Sequence, residues 1–203
     1  GVQPAVMTPA PIALGYRHSS KRVAFTARGR LWLGSYQRGS HAPAEMSECL
    51  VDHPRIAAAA RDVENIASEL GVTAFVDGTE SGDLRYVWFK TDGSRVLVTL
   101  VTGSEASQAA ALASHLSAPR DGQPVVDGVA WCVHGADDNV MRPSSVQPLS
   151  GIASLQVSLA GCAVQVGPLG FLQPNPHVAE MAYRELVRGA CGALAFDLYA
   201  GAG

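Results

Sequence analysis

Two apolar runs, Arg22-Val23-Ala24-Phe25-Thr26-Ala27 and Leu31-Trp32-Leu33-Gly34-Ser35-Tyr36, flank a glycine at position 29. Alternating faces on either side of a tight turn fit two paired strands and not a helix. The pattern returns twice. Residues 84–89 and 95–101 face each other across Thr91-Asp92-Gly93-Ser94, and Leu155–Leu159 and Cys162–Val166 across Ala160-Gly161. Between the hairpins the period changes. Ile56, Ala59, Ala60, Val63, Ile66, Ala67 and Leu70 recur at helical spacing, and Gly71 is a natural stop. Residues 106–116 predict a short helix, 125–133 a strand, and the polar, proline-bearing stretch 137–148 a loop. Residues 176–188 predict an amphipathic helix with proline in its first turn. Hairpins interleaved with helices over residues 16–166 predict an α+β domain. Residues 1–15 are a loose lead-in, and no internal repeat is present.

Composition limits the class. With 47% hydrophobic and 16% charged residues over 203 positions, the chain can bury a sizeable core. No run reaches the roughly 18 apolar residues of a membrane span, and no apolar leader follows a basic start. The expectation is a cytoplasmic protein with no membrane partner, and a monomer. Cys49, Cys132, Cys162 and Cys191 are widely spaced, which argues against a disulfide scaffold and fits a reducing compartment. Net charge is −3, yet residues 1–44 hold six cations and no acid. Nine of the fifteen cations therefore face all eighteen acids in the remainder. A basic end on an acidic body is either a polyanion footprint or a solvated basic hairpin.

The last residues raise a different question. Residues 194–199 read as an apolar strand, and Ala200-Gly201-Ala202-Gly203 as a glycine turn. Such a turn opens many nucleotide-binding α/β units, where glycine lets backbone approach a ligand; it also occurs at ordinary strand-to-helix turns. In the first case nothing of that unit follows, and the chain is expected to be a fragment. Upstream, Gln173 offers an amide donor and acceptor in the loop 167–176, or is simply solvated. Asn175 fits a helix N-cap, which is the preferred reading of that residue.

Several motifs together resemble one family. Phe171-Leu172-Gln173-Pro174-Asn175, a helix, and Asp197-Leu198-Tyr199-Ala200-Gly201-Ala202-Gly203 look like the F-x-Q-x-N and D-L-[FY]-C-G-x-G motifs of RNA 5-methyluridine methyltransferases. These S-adenosylmethionine-dependent enzymes modify uridines in 23S rRNA and tRNA. Gly15-Tyr16-Arg17 with Lys21-Arg22 resembles the family's G-[YF]-R-x-[KR] segment. Tyr36-Gln37-Arg38-Gly39-Ser40-His41 with Glu48-Cys49, and Gly82-Asp83-Leu84-Arg85-Tyr86-Val87, resemble two further stretches.

The resemblance implies an architecture and a set of roles. Residues 1–166 become a central RNA-binding accessory domain, and 167–203 the start of a truncated Rossmann-like S-adenosylmethionine-binding domain with only its first strand. Gln173, Asp197, Tyr199, Gly201 and Gly203 become cofactor contacts, and Arg17, Lys21, Arg22 and Arg38 RNA contacts. Cys49 aligns with the last of four cysteines that hold a [4Fe–4S] cluster in many members; the other three would lie before Gly1, so the resemblance leaves room for the cluster in the full-length protein, while within this chain Cys49 is an orphan ligand or a small hydrophobe. Ala200 stands where the family usually has cysteine. The family's nucleophilic cysteine and its base lie beyond the glycine motif, so this chain is expected to hold no catalytic residue, to be inactive alone and to bind S-adenosylmethionine at best weakly. Cys132, Cys162 and Cys191 are read as buried apolar residues, and for Tyr16, Trp32 and Tyr36 core packing is preferred over base stacking. The implied substrate is RNA, 23S rRNA before tRNA. A non-catalytic RNA-binding module and an unrelated nucleotide-binding protein are the alternatives.

Overall fold

The computed structural model describes residues 7–79, 81–119, 126–135 and 145–194. A seven-stranded sheet organises them, in the order β3-β2-β1-β4-β5-β6-β7. β1 (Ser19–Ala27) and β2 (Arg30–Tyr36) form the first hairpin, and β3 (Pro43–Glu45) extends it. β4 (Leu84–Thr91) pairs with β1, and β5 (Val96–Thr102) with β4. β6 (Gly128–Val133) runs parallel to β5, and β7 (Gln147–Gly151) closes the far edge. The β1–β2 turn is two residues, Arg28 (φ 53°) and Gly29 (φ 75°), as tight twisted hairpins require.

One face of the sheet carries two helices, α1 (Pro54–Glu69) and α2 (Ala109–Leu116). In α1, His53 caps the start by accepting from the Arg55 N–H at 3.2 Å. At the end the Gly71 N–H reaches the Ser68 carbonyl and the Val72 N–H the Ala67 carbonyl, with Gly71 at φ 70°. That paired closure explains why Gly71 ends the helix. Ile56, Ala59, Val63, Ile66 and Ala67 meet Leu31, Leu33, Val87, Phe89, Val98 and Leu100 in the main core. Side chains of α1 also satisfy part of the β2 edge: Glu64 accepts from the Leu33 N–H at 2.9 Å, and Ser68 from the Leu31 N–H at 3.1 Å.

The other face carries a separate hairpin, β8 (Leu155–Leu159) with β9 (Cys162–Val166). Leu155, Val157 and Val166 pack with Leu97 of β5 and with Leu172 from the following loop. That loop leads into α3 (Pro176–Leu186), which rests against β8.

Four readings are corrected. The sequence does not announce β3 or β7; both are short edge strands bearing a proline (Pro43, Pro148), which erases the period-two signal. The second helix begins at Ala109, not 106, because Asp83 holds the Gln108 N–H at 2.8 Å and Ser107 the Ala109 N–H at 3.3 Å. Cys132 is buried, but Cys162 and Cys191 are exposed. Tyr36 is 41% exposed and lies outside the core. Residues 195–199 of the expected closing strand lie outside the described residues. No described helix is long and apolar enough to cross a membrane.

Candidate functional site

The loop from Gly167 to Asn175 is tied to the sheet at both ends. Lys90, on the face of β4 opposite the helices, donates its Nζ to the Gly167 carbonyl at 3.3 Å and to the Pro168 carbonyl at a closer approach. Burial, and then the charge of Lys21, lower the Lys90 ammonium pKa to about 8. Leu172 is buried in the hairpin cluster. The His18 N–H reaches the Pro174 carbonyl at 2.7 Å. Asn175 caps α3 by accepting from the Val178 N–H at 3.1 Å, in keeping with its residue type. Gln173 therefore sits between two anchored neighbours, its side chain half-buried.

A histidine cluster, which sequence reasoning missed, stands beside this loop. The His18 ring lies 4.9 Å from that of His53 and 6.0 Å from that of His177, both edge-on. His53 caps α1 and His177 opens α3, so the starts of both helices meet at His18, just before β1. Burial, then the neighbouring His53 and His177, lower the His18 pKa to about 4. Burial and Arg55 push His53 down as well. Residues at 18, 53 and 177 share no spacing, so no local signal announces them.

The four expected RNA-contact cations part company. Lys21 is exposed, its ammonium 4.3 Å above the Trp88 ring. Arg38 is exposed in the turn between β2 and β3. Arg17 is partly exposed, with Nε 3.9 Å from Asp52. Arg22 is a correction: its side chain is 1% exposed and ion-paired with the buried Asp52 on the helix-covered face. It is a core residue and cannot meet a phosphate.

Cys49 is half-buried in the bend 46–52, where its N–H reaches the Met46 carbonyl at 3.3 Å. Among the described residues no group of three or more His, Cys, Asp or Glu is arranged to hold a metal ion, and Cys49 offers one thiolate where a [4Fe–4S] cluster takes four. Asp197, Tyr199, Gly201 and Gly203 lie outside the described residues.

No family model matches the chain. Curated relatives do. A protein of Geobacter sulfurreducens named an uncharacterized RNA methyltransferase is 28% identical over 89% of this chain. Proteins of the same description from Listeria innocua and Gloeobacter violaceus are 23% and 25% identical over 86% and 93% of it. The chain spans 36%, 38% and 41% of the length of these three relatives. Among solved structures, the Pyrococcus abyssi tRNA (uracil-54, C5)-methyltransferase in complex with S-adenosyl-L-homocysteine superposes with a TM-score of 0.69. That match covers 91% of this chain and 43% of the other at 16% identity, a likeness of fold. The mixed α+β architecture read from the hairpins is the one observed, and the resemblance to RNA methyltransferases read from the motifs is shared by these relatives by name.

Proposed function

We propose that this chain, related to curated proteins named as RNA methyltransferases, is the RNA-holding and cofactor-approaching part of an S-adenosylmethionine-dependent RNA uracil-C5 methyltransferase acting on 23S rRNA. One observation carries the reading. The loop bearing the motif glutamine is fastened to the sheet domain by Lys90, Leu172 and His18, so Gln173 is held in place rather than left to wander. A preorganised amide is what the polar end of an amino-acid-bearing cofactor needs. S-adenosylmethionine supplies the methyl group, and Gln173 with Asp197, Tyr199, Gly201 and Gly203 are the residues proposed to hold it. Residues 1–166 are proposed as the RNA-binding part, and 167–203 as the start of the cofactor-binding part.

The chain's own share of the reaction is binding and orientation. Carbon 5 of uracil is a poor nucleophile and is activated when a thiolate adds to carbon 6. Cys132 is unsuited to be that thiolate, because burial raises its thiol to about 11. Cys49 is assigned no catalytic step. Lys21, Arg17 and Arg38 are proposed to contact phosphates, which positions RNA without reading bases. The choice of 23S rRNA rests on the 82–87 strand pattern and the context of Cys49. The fold shared with the Pyrococcus abyssi tRNA enzyme makes tRNA the second reading.

The test is methyl transfer. The longest natural reading frame containing this sequence is purified and given methyl-labelled S-adenosylmethionine with unmodified 23S rRNA or tRNA. Label is expected in rRNA, and Gln173→Ala is expected to lower kcat/KM by about tenfold or more, as for loss of one charge-assisted hydrogen bond. Transfer to neither RNA contradicts the proposal.

A further inference from the structure

The sheet face opposite α1 and α2 is covered unevenly. Over β5 it is roofed by the β8–β9 hairpin and Leu172. Over β1, β2 and the start of β4 the side chains remain partly open: Trp32, Phe25 and Tyr86 are half-buried and Tyr36 is 41% exposed. Phe25 stands directly across from Trp32, and Val23 pairs with both Gly34 and Tyr86. Gly34 lets the Phe25 ring lie close to the β2 backbone, since a Cβ there would come within 3.0 Å of it. The result is a low aromatic floor.

The rings on this floor are fixed. The Trp32 indole N–H donates to the Ala27 carbonyl at 3.1 Å, and the Arg30 guanidinium lies 4.5 Å from the ring centroid. Arg30 is itself held by Asn65 at 2.9 Å. The Tyr36 hydroxyl lies beside Tyr86, and burial together with that neighbour raises its pKa to about 12. Trp32 and Tyr36 are four residues apart on one strand face, about 13 Å, a span of roughly two extended nucleotides. The charges suit a polyanion. Lys21 and Arg38 are exposed at the margin of the floor, and among the described residues nearby acids include Asp77, paired with Arg85 at 2.9 Å, and Glu45 on β3.

We propose that this floor binds unpaired RNA, with bases stacking on Tyr36 and on the Arg30–Trp32 pair while Lys21 and Arg38 take phosphates. Flat aromatic sheets recognise splayed bases, whose faces a duplex hides. The proposal rests on the RNA reading above and adds that the contact is to single strands, through the sheet face rather than through the basic end as a whole.

The probe is a short uridine-rich single-stranded RNA, with the same sequence as a duplex for comparison, read by fluorescence anisotropy on the full chain. Single strands are expected to bind at least tenfold more tightly than duplex. Trp32→Ala and Tyr36→Ala are each expected to weaken binding fivefold or more. Trp32→Phe keeps a ring in place, guards against a folding artefact and retains most of the affinity. Lys21→Ala reduces the salt slope by about one. Equal binding of duplex and single strand overturns the proposal, as does no binding, or binding unmoved by the aromatic substitutions. Such failure leaves methyl transfer by the longest reading frame as a separate measurement; conversely, stacking that survives alongside absent methyl transfer refutes the enzyme and keeps the platform.

Discussion

Asp52 is the acid on which the buried end of β1 depends. It faces Arg22 inside the core and Arg17 at the rim, and it is fully buried. Removing one partner of a buried pair leaves a charge with no compensation, so Asp52→Ala is expected to destabilise by about 3–5 kcal/mol. Denaturant unfolding measures it, and a loss below about 1 kcal/mol would mean that Arg22 finds water. His18 sets a pH dependence. Its folded pKa of about 4 lies below the ordinary 6.5, so between these values the unfolded chain binds a proton that the folded chain does not. The stability it contributes is complete above pH 6.5 and is lost as pH falls from 6.5 towards 4. His53 shifts in the same direction and steepens the slope. His18→Gln should flatten stability against pH across that interval. Lys90 has the same sign in a higher window: with a folded pKa of about 8 against 10.5, stability rises with pH between them.

At the level of elements, what the sequence reveals depends on periodicity. The β1–β2 and β8–β9 hairpins and α1 are readable because alternation, helical spacing and turn glycines agree. The edge strands are not, because three residues around Pro43 and five around Pro148 carry no period. The crossing from β5 through α2 to a parallel β6 is likewise a tertiary choice with no local sign. Close approach is hidden too. At Gly34 a Cβ would stand 1.9 Å from the Ala44 carbonyl oxygen, so Gly34→Val should expel β3 and lose about 1–3 kcal/mol. Hydrogen exchange would show this as lost protection at Ser35, which faces Ala44 in the ladder. The same measurement separates the helices. Val178, Met181, Tyr183 and Leu186 of α3 are exposed, whereas α1 buries a full face. Exchange in α3 is expected to be much faster than in α1.

Across the molecule, the sheet has two jobs on two faces. The helix side supplies the core; the other side fastens the glutamine loop at β4–β5 and leaves an aromatic floor at β1–β2. Of the candidate site, the sequence carries Gln173, the Asn175 cap and the basic character of the first strands. It misleads at Arg22, because a strand cation at an alternating position can face either way until its partner Asp52, thirty residues later, is placed. The histidine cluster and the Lys90 clamp come from four distant segments and exist only in the fold. The most direct measurement of the central claim is nucleoside mass spectrometry. The longest natural reading frame containing this sequence is expressed in cells lacking their own uracil-C5 RNA methyltransferases, and purified 23S rRNA and tRNA are digested. The predicted result is 5-methyluridine in 23S rRNA, abolished or sharply reduced by Gln173→Ala; RNA of both kinds without 5-methyluridine would contradict it.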